Sequence, residues 1–340
     1  MKVPFTFRGW LRGAGAVLLP LLAASCLNGG GRFQKKMCEG PPLSEEPLYK
    51  WRASDGVEVP YCQWLPPKGM RPKGLVIAVP GMDEASDDWG QLGRHLSARG
   101  YEVYSCDLRG QGRDMDCPER GDYHRWKRWV EDVNEFADHA RGKRSLHMAY
   151  MGHSLGGILA LSAAVSSEGR GPDALVLYAP AFVLAYPPWF ARPAVTLAEA
   201  VTFNQSRVTG PAVFELIGRN LVSNVEDEAA WERSCDRLCK GMTLRYVLAC
   251  MDAGKQARNL PGKVNIPVLL QYGRSDATLY MCRRSPGRLW EMFHSEDKEL
   301  WWHPDPEANH DMLNDRMVRR VMLDKTCSWL NDRVSARAAR

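Results

Sequence analysis

At 340 residues the chain has room for one large α/β domain with an insertion, or for two ordinary domains. Its 45% hydrophobic and 25% charged content is ordinary globular composition. The formal charge is +5, but Lys2, Arg8 and Arg12 lie in a leader without acidic residues; beyond them 42 basic residues face 40 acidic ones, which is not the balance of a nucleic-acid binder.

The first 25 residues have the plan of an export signal. Lys2, Arg8 and Arg12 precede the apolar stretch Ala14–Leu22, which is too short and too interrupted by Gly15 and Pro20 for a good spanning helix. It ends in Leu22-Ala23-Ala24-Ser25-Cys26, which resembles a bacterial lipobox although Ala23 stands where Leu is commonest. On that reading Cys26 is the acylated mature N-terminus, residues 26–48 form a tether, and the protein sits in the cell envelope. Ordinary cleavage, giving a secreted or periplasmic protein, and an uncleaved anchor are the alternatives. Setting Cys26 aside leaves nine cysteines, an odd number, and their pairing cannot be deduced. Cys235 and Cys239 lie one helical turn apart without a second ligand pair nearby, so packing or disulfide roles suit them better than a metal.

Alternating residues from Trp51 to Leu65 predict an early edge strand. Gly74–Gly81 is a continuous apolar run, as expected of a strand buried on both faces. A helix over about Asp88–Arg99 is closed by Gly100, the strand Tyr101–Asp107 follows, and a helix runs over about His124–Arg141 with Trp126, Trp129, Val130, Val133 and Phe136 on one stripe. Leu146–Met151 reads as a buried strand and Gly157–Val165 as a helix, with Gly152-His153-Ser154-Leu155-Gly156 between them. Ala174–Tyr178 is a further strand. This alternation predicts a mostly parallel sheet flanked by helices.

From about Phe182 to Val264 the alternation breaks into helical pieces without an obvious strand, including Gly210–Asn220 and Asp227–Lys240. It resumes with the strands Ile266–Gly273 and Glu299–His303 and closes with a helix over about Met312–Arg333. The expected organisation is a core over 49–183 and 265–334, interrupted by a helical lid over 184–264 inserted after the sixth strand, with a frayed tail at 335–340. A lid there would cover the C-terminal strand edge, where ligands bind in such sheets.

G-x-S-x-G alone is a weak signal; between a strand and a helix it is a nucleophile elbow, in which the serine takes a strained turn and the glycines remove obstructing side chains. A serine hydroxyl needs a base, and the base a carboxylate. Asp276 follows a strand that ends at the same sheet edge as Ser154, and His310 lies in the loop after the next strand, giving the order Ser, Asp, His. His95, His124, His139 and His147 precede the elbow and break that order. His153 flanks the serine and suits packing of the elbow, His294 belongs to a helix before the last strand, and His303 to that strand's end. For the oxyanion hole the N–H of Leu155 follows the nucleophile, and Met82 in the Gly81-Met82 turn supplies the second donor.

Four blocks carry a resemblance: Pro80–Glu84, Asp107–Arg113, Gly152–Gly157, and Gly273–Asp276 with Asn309–Asp311. The chain resembles the α/β-hydrolase superfamily, specifically the monoacylglycerol lipase/lysophospholipase group of serine-aminopeptidase-like hydrolases, over roughly residues 55 to 332. That resemblance implies an α/β-hydrolase fold, nucleophile Ser154, acid Asp276, base His310, oxyanion donors Met82 and Leu155, and acyl transfer to water with no metal or organic cofactor. Pro80 is a departure, since the group usually has His-Gly there. The arginines of Asp107–Arg113 suit a structural role.

Trp189, Phe190 and Phe203 either line an acyl pocket or glue the lid onto the sheet. Monoacylglycerols or lysophospholipids are the expected substrates of such an enzyme on a lipid tether. The alternatives are a peptidase of the same superfamily, which would need an acidic lid cluster such as Glu226, Asp227, Glu228 and Glu232, and a noncatalytic envelope protein. Neither oligomeric state nor acyl length is legible.

Overall fold

Ten strands and eight α-helices make up the computed structural model over the residues it describes, which are 46–113, 117–167, 169–187, 189–202, 207–208, 241–280 and 282–335. The main sheet has eight strands in the order β1-β2-β4-β3-β5-β6-β9-β10. They are β1 (Tyr49–Arg52), β2 (Glu58–Trp64), β3 (Gly74–Val79), β4 (Tyr101–Cys106), β5 (Met148–His153), β6 (Ala174–Tyr178), β9 (Val268–Tyr272) and β10 (Lys298–Trp302). From β4 to β10 every pairing is parallel; β1 and β2 join antiparallel at one edge.

Where one early edge strand was expected over Trp51–Leu65, there are two strands in a hairpin. Asp55-Gly56 makes the difference: Gly56 adopts φ 84°, Gly56 N–H donates to Ala53 at 2.9 Å, and Asp55 Oδ1 accepts the Val57 N–H at 3.2 Å.

Helices cover both faces because each buried strand presents apolar side chains alternately up and down. In β3, Leu75, Ile77 and Val79 pack with α2 (Trp126–Arg141), α3 (Leu155–Ser166) and α6 (Leu244–Ala257), while Val76 and Ala78 pack with α1 (Gly90–Ser97) and α8 (Arg319–Leu330). Burying a side chain of this size contributes about 1.5–3 kcal/mol, so the central strands dominate the core. The stripe on α2 is as the spacing predicts, with Trp129, Val130, Val133 and Phe136 buried and Trp126 half-buried at its start.

Three boundaries differ from expectation. The helix after β3 opens with a 3-10 turn, Ser86–Trp89, because Asp88 Oδ2 turns back to the Ala85 N–H at 2.7 Å. The last helix starts at Arg319, seven residues later than expected from Met312. Asp311 and Asp315 carboxylates take the N–H groups of Asn314 (3.2 Å) and Met317 (2.9 Å), and such local bonds compete with helix. Within 184–264 the described residues include α4 (Phe182–Ala185) at its border, α5 (Ala191–Thr202) and α6, joined by a short antiparallel pair, β7 (Arg207–Val208) with β8 (Met242–Thr243). So this segment is not purely helical. Gly210–Asn220 and Asp227–Lys240 fall outside the described residues, as do residues 1–45 with Cys26. Short α7 (Pro286–Glu291) completes the chain between β9 and β10.

Candidate active site

From Met148 to Ala163 every residue is buried except one, Ser154, which is half-exposed. It sits between β5 and α3 at φ 52° and ψ −118°, in backbone territory that L-residues seldom occupy. Three backbone bonds hold it there. Its N–H donates to Tyr178 at 3.0 Å, and its carbonyl accepts from Gly157 at 3.1 Å and from Ala181 at 2.9 Å. The glycines of the motif are required by close approach: a Cβ on Gly152 would lie 2.2 Å from the Gly156 carbonyl oxygen, and one on Gly156 would lie 2.1 Å from that of Val79 and 2.4 Å from that of Pro80. The second clash shows that the turn after β3 rests directly on the first turn of α3.

That contact brings together the two expected oxyanion donors. Leu155 is the first residue of α3, no side chain caps that end, and its N–H belongs to the group that a helix leaves unpaired internally. Met82 follows Gly81 in the β3 turn. Pro80 stands where the resembling group has histidine, and other residues brace the turn here. Glu84 accepts the Gly81 N–H, and Gln111 Nε2 donates to the carbonyls of Gly81 (2.6 Å) and Glu84 (2.9 Å). Tyr246 on α6 donates in turn to Gln111 Oε1.

Asp276 and His310 meet on the same sheet edge. His310 Nδ1 is 3.0 Å from Asp276 Oδ1, and both residues are buried. The same Oδ1 accepts from Thr278 N and Oγ1, each at 2.8 Å. Burial pushes the Asp276 carboxyl up, but His310 and the Thr278 bonds outweigh it and hold it below the usual range. The loops carrying the pair are stitched together: Ser275 N–H donates to Ala308 at 2.9 Å, and a Cβ on Gly273 would lie 2.3 Å from the Asn309 carbonyl oxygen. His310 lies against the residue before the serine, its ring centroid 4.9 Å from that of His153.

The remaining histidines have other partners or settings. His95 meets Asp324 at 3.3 Å, His147 meets Asp173 at 3.2 Å, His303 Nε2 lies 2.9 Å from the Val318 carbonyl, and His139 packs on Trp51 and Tyr61. Arg109 pairs with Asp132 (2.6 Å) and Asp55 (2.6 Å), tying the post-β4 loop to α2 and the hairpin. The Arg109 guanidinium holds the Asp55 carboxyl down at about 2.

Three features were not legible as site residues. Glu84 and Gln111 lie inside quoted motif blocks, yet nothing in their spacing shows that they converge on Gly81. His153 is more than elbow packing, since it pairs with the Glu84 carboxylate. Among the aromatics, Trp189 is 70% exposed and packs edge-on against half-buried Phe190, 5.8 Å between centroids, which is a surface position and not the wall of a closed pocket. Phe203 and the acidic residues 226–228 and 232 fall outside the described residues, as do Cys235 and Cys239. No helix among the described residues is long and apolar enough to cross a membrane.

Comparison with known proteins agrees with this architecture. Residues 70–317 match the family model of serine aminopeptidase, S33. A probable lysophospholipase L2 of Haemophilus influenzae is 22% identical over 268 residues, covering 76% of this chain and 83% of that protein. Lysophospholipase L2 of Escherichia coli K12 is 29% identical over 162 residues, covering 44% of this chain and 47% of that protein. Monoglyceride lipase from Saccharomyces cerevisiae shares the fold with a TM-score of 0.69 at 18% identity, over 85% of this chain and 96% of that one. Monoacylglycerol lipase from Paleococcus ferrophilus does so at 0.57 and 20% identity, over 82% and 100%. The chain belongs to the S33 family and has the α/β-hydrolase fold.

Proposed function

We propose that this S33-family hydrolase cleaves monoacylglycerol- or lysophospholipid-like esters through an acyl-enzyme formed on Ser154. The observation that carries the reading is the half-exposed, positive-φ Ser154 on one sheet edge with the buried Asp276–His310 pair. His310 takes the serine proton as Oγ attacks the ester carbonyl, and the N–H groups of Leu155 and Met82 face the developing oxyanion. His310 then protonates the leaving alcohol, and a water activated by the same imidazole releases the acid. Asp276 fixes the imidazole tautomer and stabilises its charged form.

The named relatives favour a lipid ester over a small one, and the 184–264 insertion serves in this reading as a lid. In this reading the leader is an export signal and an N-terminal lipid on Cys26 tethers the enzyme to the bacterial envelope; incorporation of tritiated palmitate, lost in Cys26→Ser, tests that part. For the chemistry, lysophosphatidylcholine, monoacylglycerols and aminoacyl anilides are offered to wild type and Ser154→Ala. Release of fatty acid by wild type alone supports the proposal. Preferential cleavage of the anilides would instead make this chain a peptidase.

A further inference from the structure

The Glu84 carboxylate faces two elements at once. One oxygen accepts the Gly81 N–H, and the other pairs with Nδ1 of His153. On the far side of that imidazole, Nε2 lies 3.1 Å from the backbone carbonyl of His310. Carboxylate and carbonyl only accept, so both ring nitrogens of His153 donate and the ring is an imidazolium. Glu84 and His153 are 6% and 2% exposed. A continuous chain therefore runs from the Gly81 N–H through Glu84 and His153 to the main chain of His310. It passes through the residue that precedes Ser154.

Burying two charges for stability alone is poor design, because a well-packed apolar pair of the same volume often serves as well. What an ion pair adds is fixed direction at both ends. We propose that Glu84 and His153 are positioning residues that hold the Gly81–Met82 turn and the His310 loop in register across Ser154. The proposal rests on the reading of Ser154, His310 and Met82 given above. Among the described residues, the titratable groups facing His153 are Glu84 from the β3 turn, Asp311 from the loop after β10, and the ring of His310. Burial lowers the His153 pKa, and Glu84 more than reverses this, raising it to about 9. Burial holds the Asp311 carboxyl above its ordinary value, against the pull of His153.

Glu84→Gln separates geometry from charge. Its carbonyl can accept the Gly81 N–H while its NH2 donates to Nδ1 of a neutral His153, whose Nε2–H still reaches His310. Expected behaviour is a kcat at pH 7 within about threefold of wild type, and about 100-fold lower kcat in Glu84→Ala and in His153→Ala, with KM nearly unchanged. The double alanine variant should lose no more than either single one, since the pair acts as a unit. In wild type kcat should fall above about pH 9, where His153 loses its proton and one end of the chain breaks. That alkaline limb should vanish in Glu84→Gln. A wild-type protein that a fluorophosphonate labels at Ser154, with alanine variants of undiminished kcat or a Gln variant that keeps the limb, overturns the positioning role alone. An unlabelled wild type overturns the catalytic reading and this role with it.

Discussion

Two helices, one starting at the candidate site and one in the insertion, are built on opposite principles. α3, which starts at Leu155, buries nine consecutive residues from Leu155 to Ala163, and a single added carbon at Gly156 would collide with the main chain of β3. α5, inside the insertion, buries none of its twelve residues and exposes Leu197 and Val201. The first sets positions to a fraction of an ångström; the second touches α6 but buries none of its side chains fully. Reactive groups belong on the first kind of element, and on the proposed reading the surface that adapts to a lipid belongs on the second.

The sharpest ways to break this contrast lie on the rigid side. Ser154→Ala should lower kcat by at least about 10⁴-fold while leaving Tm unchanged, measured by fatty-acid release and by calorimetry. Asp276→Asn should cost about 10³–10⁴-fold in kcat with little change in KM, because the imidazole loses the partner that fixes its tautomer. Gly156→Ala should destabilise by about 1–3 kcal/mol or more and reduce kcat of the folded fraction, as overpacking moves the β3 turn off the elbow.

A smaller effect comes from the buried pair behind the serine. The folded pKa of His153, about 9, lies above its ordinary 6.5, so its contribution is fully present below pH 6.5 and is lost as pH rises through 9. Denaturant melts should show wild type losing about 2 kcal/mol more than His153→Phe between those pH values. Smallest of all, Leu197→Ser and Val201→Ser on α5 should change stability by less than about 0.5 kcal/mol, since neither side chain is buried. If either destabilises as much as a core substitution, α5 is packed after all and the contrast fails.

How much of this was legible follows the same division. β3, β6 and the elbow read directly because continuous apolar runs, short strands and two glycines leave few alternatives. Ser154, Asp276 and His310 were expected from chain order and strand-end placement, which depend on topology and not on side-chain detail. Glu84, His153 and Gln111 were not, because the bonds that join them to one another and to His310 span 27, 69 and 157 residues. The start of α8 was missed because Asp311 and Asp315 spend their carboxylates on local turns. In the insertion helical pieces were expected and α5 is one, but its aromatic neighbour Trp189 is exposed.

The central claim is that Ser154 is activated by the Asp276–His310 pair. The most direct measurement is fluorophosphonate modification of the intact protein followed by peptide mass spectrometry. One adduct should form, on Ser154, absent from Ser154→Ala and slowed at least about 100-fold in His310→Ala. A folded, unmodified wild type, or an adduct carried by another residue, would contradict it.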